Sequence, residues 1–205
     1  MLKQLGIAGI LTKKAEGYKD ILQDVFEELK EWSELDSEED HNDEPAYDSS
    51  DGSQDPQASA QQMIDDLMTP SHIPLDDPHR IRERLDSSLK RLRLTTLLFS
   101  AIIKRRIKTL PPLLSNQATP IAQRLDEVYP ILERLPDHFN ELTTAFYELD
   151  PAGIDRTMDL CFFDAFAAAE MLKAPWTGTE DAFTEWVDKF QLSIKKHDEK
   201  TATVP

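Results

Sequence analysis

Five histidines and one cysteine are the residues of this chain that could hold a metal or act as a nucleophile. A di-iron site in a helical bundle needs paired Glu-x-x-His motifs on inward faces, and only Glu38 and His41 have that spacing. Because both lie in an acidic tract, we predict no metal site. Cys161 stands among phenylalanines, where a thiol behaves as a small hydrophobic group. Since the chain also lacks a glycine-rich phosphate loop, we predict that it is not an enzyme and binds no cofactor.

Two serines have a spacing that suits modification. Ser33 and Ser37 are each followed, three residues later, by an aspartate, which is the pattern that an acid-directed kinase recognises. A phosphate would add about 1.5 to 2 negative charges at either position. We therefore treat Ser33 and Ser37 as candidate phosphorylation sites.

Basic residues are concentrated in one part of the chain, and ten of the 23 lie between residues 80 and 108. This part ends with Lys104, Arg105, Arg106 and Lys108. Cations at the end of a helix complement its dipole and contribute about 0.3 to 1 kcal/mol each, so a solvated helix end is one interpretation. A second is a nuclear-import signal or a patch for an acidic partner. A third is a surface that the chain's own acidic loop covers.

The overall charge excludes several kinds of partner. The chain has 205 residues, 39 of them acidic and 23 basic, and its net charge is -16. Phosphate backbones and anionic membranes would repel such a chain, so we predict no direct nucleic-acid partner and no membrane partner. One cysteine cannot form an internal disulfide and is typical of a reducing compartment.

Apolar residues recur at spacings of three and four through most of the chain, which predicts an all-α bundle of about five to six helices. Residues 1–35 form an amphipathic helix of this bundle. Residues 36–57 are strongly acidic and contain no lysine or arginine, so we predict a disordered loop. Residues 58–196 form the main bundle, and residues 197–205 a frayed polar tail.

Within the main bundle, we predict a short helix over residues 58–68 and a long one over 78–110. The long helix is apolar around its whole circumference between residues 92 and 103, which is typical of a central element. The next helix begins at Pro120. We expect Pro130 to kink it, and Pro136 either to kink it again or to begin a new segment. Further helices are predicted over residues 152–174 and 179–196.

Several stretches carry a resemblance to a known family: KKAEGY at residues 13–18, EELKEW at 27–32, MIDDLM at 63–68, IKRRIKTLPP at 103–112, and the region 176–186. Together with the acidic loop, they resemble the fungal branch of the Grap2 and cyclin-D-interacting protein family, the cyclin-D1-binding protein 1 group. The resemblance covers nearly the whole chain and corresponds to the C-terminal part of a family member, without the N-terminal helical portion expected there.

The resemblance implies a non-enzymatic, all-α adaptor of the nucleus and cytoplasm that binds regulatory proteins such as D-type cyclins and restrains cell-cycle progression. Animal members of this family are described as zipper-like. We do not carry zipper dimerisation over to this chain, because Thr96 and Arg106 occupy core-type positions in the near-heptad apolar stripe from Leu85 to Leu110. The sequence therefore leaves the oligomeric state open. The alternative function is a structural or assembly subunit of a larger helical complex, with no role in cyclin binding.

Overall fold

A computed structural model describes residues 6–39, 72–111, 118–178 and 180–195. Within these residues the chain is helical, without strands, and the prediction of an all-α bundle is confirmed. The helices are α1 (Ile7–Glu39), α2 (Ile81–Ile102), α3 (Ala118–Tyr147), α4 (Pro151–Lys173) and α5 (Ala182–Lys195), and a π-helical turn over Ile103–Ile107 continues α2. None of the helices in these ranges is long and apolar enough to cross a membrane.

Helix α1 begins at Ile7, later than the predicted start at residue 1, and continues to Glu39, four residues beyond the predicted end at residue 35. Residues 36–39 are therefore helical, although we expected them to open the acidic loop. Glutamate is a strong helix former, and Trp32 holds this end by packing against Phe146 and Tyr147, with ring centroids 6.3 and 5.4 Å away. The helix also runs through Gly17, which is exposed. The rest of the predicted loop, the predicted helix at 58–68 and the predicted tail at 197–205 lie outside the described residues.

Helix α2 begins three residues later than predicted. The carboxylate of Asp77 accepts the backbone N–H groups of Ile81 and Arg82, at 2.6 and 2.9 Å, so it satisfies donors that the first turn leaves unpaired. Arg80 has a left-handed backbone conformation with φ of 53°, and this conformation excludes it from the helix. Pro78 consequently lies before the helix rather than in its first turn.

Helix α3 continues through both of its prolines. Of the two alternatives for Pro136, the start of a new segment is therefore wrong. Packing on either side holds the helix together, since Val128 and Leu132 flank Pro130 in the core and Leu135 and Phe139 flank Pro136. Pro130 is exposed, whereas Pro136 is buried.

Helices α1 and α3 lie side by side and run in the same direction. Tyr18 donates its hydroxyl to Glu133 at 3.0 Å, and further along both helices Tyr147 donates to Glu28 at 2.8 Å. A short connection between Tyr147 and Pro151 reverses the chain, so α4 packs antiparallel to α3. These two pairings fix three of the helix directions in the bundle.

Helix α2 packs against both α1 and α4 and completes a four-helix arrangement. Arg84 contacts Asp155 near the start of α4, and Arg106 contacts Leu172 near its end, so α2 and α4 are parallel. Helix α5 lies on the surface that α2 and α4 form together. One continuous core includes residues from all five helices.

Candidate interaction surface

The four residues of the predicted basic patch do not share one environment. Lys104, Arg105 and Lys108 are exposed, and Lys108 lies 3.4 Å from a carboxylate oxygen of Glu16. Arg106 is only 1% exposed. The prediction that Arg106 belongs to an exposed patch is therefore wrong, and Lys104 and Arg105 are left as adjacent exposed cations on the π-helical turn.

Arg106 satisfies its guanidinium with five acceptors, one for each N–H. Nη1 and Nη2 bind Asp181 at 2.7 and 3.0 Å. Nε donates to the Leu172 carbonyl and Nη2 to the Lys173 carbonyl, both at 2.7 Å, while Nη1 also reaches the carbonyl of Arg105 at 3.0 Å. The carbonyls of Leu172 and Lys173 belong to the last turn of α4, which cannot pair them within the helix. Arg106 therefore joins α2 to the end of α4 and the start of α5.

Asp181 has two roles at this junction. Besides accepting from Arg106, it accepts the backbone N–H groups of Phe183 and Thr184, both at 3.1 Å, and so caps the start of α5. The hydrogen bonds from Arg106 are the main reason why the pKa of Asp181 lies well below its ordinary value. The guanidinium also lies 4.4 Å from the ring centre of Phe183, a favourable cation–π contact. This junction fixes α5 relative to the π-helical turn.

Beside this junction, α2 and α5 enclose a groove of about 300 Å³, which we call the Trp186 groove. The two helices are antiparallel, because Arg91 donates to the carbonyl of Ile194 at 2.9 Å while Arg106 binds Asp181 at the other end. The groove is lined by Leu97, Ser100, Ala101, Lys104, Arg105, Ala182, Phe183 and Trp186.

The floor of the Trp186 groove is apolar and its rim is basic. Leu97 is 50% exposed there. Trp186 is held between Phe183 and Phe190, which stack on it with ring centroids 5.8 and 5.4 Å away. Among the described residues lining the groove none is acidic, and within the described part of the chain Lys104 and Arg105 form no ion pair. The groove therefore offers apolar contact and positive charge to a ligand.

The positive charge continues along α2. Arg93 and Lys90 are exposed and precede Leu97 by four and seven residues, so they lie on the same helix face. We call Lys90, Arg93, Lys104 and Arg105 the basic stripe. Leu97 lies between its two halves.

A second groove, of about 410 Å³, lies between α4 and the end of α5. Phe163 is 69% exposed there, whereas its neighbour Phe162 is buried. Two aromatic rings that line this groove contact cations: Arg91 lies 4.3 Å from the centre of Phe162, and Lys195 lies 4.6 Å from the centre of Phe166. Asp159 also lines this groove, which therefore has mixed charge.

The remaining candidate residues lie away from the Trp186 groove. Ser33 is half-buried on α1, and Ser37 follows it on the same helix, so the two serines are on a helix rather than in a loop. Cys161 is buried as predicted, and burial, together with the nearby charge of Asp164, raises the pKa of its thiol. In the described ranges no three His, Cys, Asp or Glu side chains are grouped so as to hold a metal ion.

The pattern of apolar residues did not predict that Leu97 and Trp186 line a groove, although one feature of the sequence pointed to Leu97. Helix α2 is apolar around its whole circumference near Leu97, and more of this surface is apolar than its neighbours bury. An excess of this kind indicates a place where another chain can bind.

Comparison of the chain with protein-family models, with curated proteins and with solved structures found no match.

Proposed function

We propose that this protein is a non-enzymatic interaction adaptor that binds a regulatory protein partner in the Trp186 groove. The observation that carries the proposal is the exposure of Leu97 on the apolar floor of the groove, beside the exposed cations Lys104 and Arg105. Exposed apolar surface with a polar rim is typical of protein-binding sites. Apolar anchors that fill pockets of this kind supply most of the binding energy in many interfaces.

The chemistry of the groove supports binding rather than catalysis. Ser100 contributes the hydroxyl among the lining residues, and this group donates to the Thr96 carbonyl at 3.2 Å. A serine nucleophile requires a base within hydrogen-bond reach, and no histidine or carboxylate is among the described residues that line the groove. Cys161 is buried on another helix with a raised pKa, which disfavours the reactive thiolate.

The resemblance to the cyclin-D-interacting family is the basis for proposing a class of partner. It suggests a cyclin-like protein and a location in the nucleus and cytoplasm. The burial of Arg106 interrupts the basic run at residues 104–108, so the exposed pair Lys104 and Arg105 is better suited to docking than to presenting a continuous import signal.

The alternative function, a structural subunit, is favoured by a different observation. Large apolar side chains are also exposed outside the Trp186 groove: Phe163 on α4 and Ile7 on α1 are 69% and 54% exposed. A subunit that contacts several neighbours would bury more than one such surface. An adaptor should form a complex of defined stoichiometry with one partner, whereas a subunit should enter a larger assembly.

We would immobilise the full chain and expose it to nuclear and cytoplasmic extracts of its own source, using the wild type, Leu97→Asp and Phe163→Asp. Retained proteins would be identified by mass spectrometry, and each candidate would then be purified and titrated against the chain by calorimetry. Both substitutions change exposed side chains, and matching thermal unfolding curves would confirm that the variants are folded.

If the proposal is correct, a purified partner should bind the wild type and Phe163→Asp with equal affinity. It should bind Leu97→Asp about tenfold or more weakly. A cyclin-like partner would support the inference from the resemblance. Equal binding by all three proteins, or no purified partner that binds, would overturn the adaptor function. If the wild type instead retains a fixed set of several proteins that Phe163→Asp does not retain, the result would support the structural-subunit function.

A further inference from the structure

We infer that the segment bound in the Trp186 groove is an acidic amphipathic helix of the partner, which lies along α2 and inserts one large apolar side chain beside Leu97. This inference rests on the proposed function and specifies the chemistry of the partner. It is carried by the arrangement of the basic stripe, whose positive charges lie on both sides of an exposed apolar residue on one helix face.

The spacing of the stripe defines the length of the ligand. Arg93 and Lys104 are separated by eleven positions, which corresponds to about 16 Å along a helix axis. A bound helix of about three turns would span this distance, with carboxylates near both ends and an apolar anchor near Leu97 between them. Short amphipathic helices commonly bind in grooves between two helices and present anchors at positions i, i+3, i+4 and i+7.

The two walls of the groove differ in charge, and this difference orients the ligand. The α2 wall carries Lys104 and Arg105 at the rim. On α5, the exposed Glu185 precedes Trp186, and Asp188 is paired with Lys173 at 2.6 Å. Carboxylates on the bound helix would be repelled from the α5 side and attracted to the α2 side. The acidic face of the ligand should therefore contact α2, and its apolar face the floor of the groove.

The charge of the whole chain makes this surface selective. The net charge is -16, so most of the protein surface repels an acidic ligand. The basic stripe attracts such a ligand beside an apolar floor, and like-charge repulsion by acidic parts of the surface disfavours other binding positions. Trp186 cannot easily move away from the groove because two phenylalanines stack against it. The apolar floor is thus preformed, which reduces the ordering cost of binding.

The test uses a fluorescent synthetic peptide of about 18 residues, designed as an amphipathic helix with leucines at i, i+3, i+4 and i+7 and glutamates on the polar face. A neutral peptide, in which every glutamate is glutamine, serves as the first control. The proteins are the wild type, Lys104→Gln/Arg105→Gln and the matched control Lys13→Gln/Lys14→Gln. Lys13 and Lys14 are exposed on α1, and both double variants remove two positive charges.

We expect the acidic peptide to bind Lys104→Gln/Arg105→Gln about fivefold or more weakly than the wild type, because two exposed ion pairs are lost. Its affinity for Lys13→Gln/Lys14→Gln should change less than twofold. The neutral peptide should bind all three proteins equally and more weakly. Nuclear magnetic resonance should show that the acidic peptide shifts the indole N–H signal of Trp186 more than that of the buried Trp32.

The inference is overturned if the acidic peptide does not bind, if it binds no better than the neutral one, or if the two double variants weaken it equally. These outcomes are distinct from failure of the adaptor function. A natural partner that is lost from Leu97→Asp but binds Lys104→Gln/Arg105→Gln normally would leave the adaptor function standing and exclude an acidic helix as its ligand.

Discussion

Arg106 and Asp181 connect the end of α2 to the start of α5 through two parallel hydrogen bonds, one from Nη1 to Oδ2 at 2.7 Å and one from Nη2 to Oδ1 at 3.0 Å. The guanidinium is buried, while 41% of the Asp181 side chain is accessible to solvent. The chain neighbours of the two partners, Arg105 and Ala182, line the Trp186 groove from its two sides. The position of the groove is therefore set by a polar contact as well as by apolar packing.

Replacement of Asp181 by asparagine should reduce the free energy of unfolding by about 1.5 to 3 kcal/mol, the usual range for a hydrogen bond to a charged group. The reason is that Arg106 would keep its buried charge without a carboxylate. Urea denaturation would measure the loss. Asp188→Asn is the matched control, because it breaks an exposed pair with Lys173 that should contribute at most about 1 kcal/mol. Equal losses of unfolding free energy in Asp181→Asn and Asp188→Asn would contradict the stabilising role given to the Arg106–Asp181 pair.

The stabilising effect of Asp181 should also depend on pH. Arg106 lowers the pKa of this carboxyl group in the folded protein, whereas the unfolded chain has an ordinary value of about 4. A group with a lowered folded pKa stabilises the protein above the unfolded pKa and loses this effect as the pH falls. The difference in unfolding free energy between wild type and Asp181→Asn should therefore be constant from about pH 7 to 5 and should shrink below about pH 4.

Urea denaturation at a series of pH values would test this dependence. A difference that keeps its full size at about pH 2.5 would show that the carboxylate charge is not its source.

A second ion pair, Arg134 with Asp164, predicts an unequal response to removal of each partner. Both of its hydrogen bonds are 2.6 Å long, but Asp164 is buried while nearly half of the Arg134 side chain is exposed. Arg134→Met leaves a buried carboxylate without its cation, whereas Asp164→Asn leaves an arginine that water can solvate. We expect Arg134→Met to be the more destabilising by at least about 1 kcal/mol at pH 7.

Parallel urea titrations of the two single variants would measure this difference, and the double variant should recover part of the Arg134→Met loss. Equal losses would contradict the prediction. The nearby His138, whose Nδ1 lies 3.4 Å from Asp164, would then be the better candidate for the group that stabilises the carboxylate.

The two prolines within α3 should respond differently to replacement by alanine. A proline inside a helix costs about 3 kcal/mol relative to alanine, although it also restricts the unfolded chain by up to about 1 kcal/mol. Pro130 is exposed, so Pro130→Ala should raise the free energy of unfolding by about 1 to 2 kcal/mol. Pro136 is buried, and Pro136→Ala should gain less because packing is lost. Thermal and urea unfolding would compare them, and a larger gain at Pro136 would contradict this account.

Local patterns predicted most of the helices. The helix predicted over residues 152–174 matches α4, which begins at Pro151, and the Asp150 side chain caps it by accepting the N–H of Ala152 at 3.1 Å. The start of α2 was less predictable, because Pro78 suits a first turn but the left-handed Arg80 separates it from the helix. A preference for the first turn is a local property, and the neighbouring backbone overrides it here.

The candidate site was only partly predictable, and Arg106 shows why. Arg106 occupies a core-type position in the near-heptad apolar stripe from Leu85 to Leu110, but four of the five residues at 104–108 are basic, which favoured a solvated patch. The acceptors that permit burial lie on other elements: Asp181 is 75 positions away and the Leu172 carbonyl 66. Leu97 posed a similar difficulty, because the sequence does not specify how much of α2 is covered by α5. Both outcomes depend on tertiary packing.

Gly17 has a consequence for the motions of α1. Nothing lies within 4 Å of where its Cβ would be, and a glycine inside a helix costs about 1 kcal/mol relative to alanine. The turns before it expose half of Ile7 and Ile10, whereas Leu22 and Leu29, after it, are fully buried. The first turns can therefore open while the rest of the helix stays closed. Helix α1 is one element in architecture, but we expect the amides of its first two turns to exchange before those of the turns around Leu22 and Leu29.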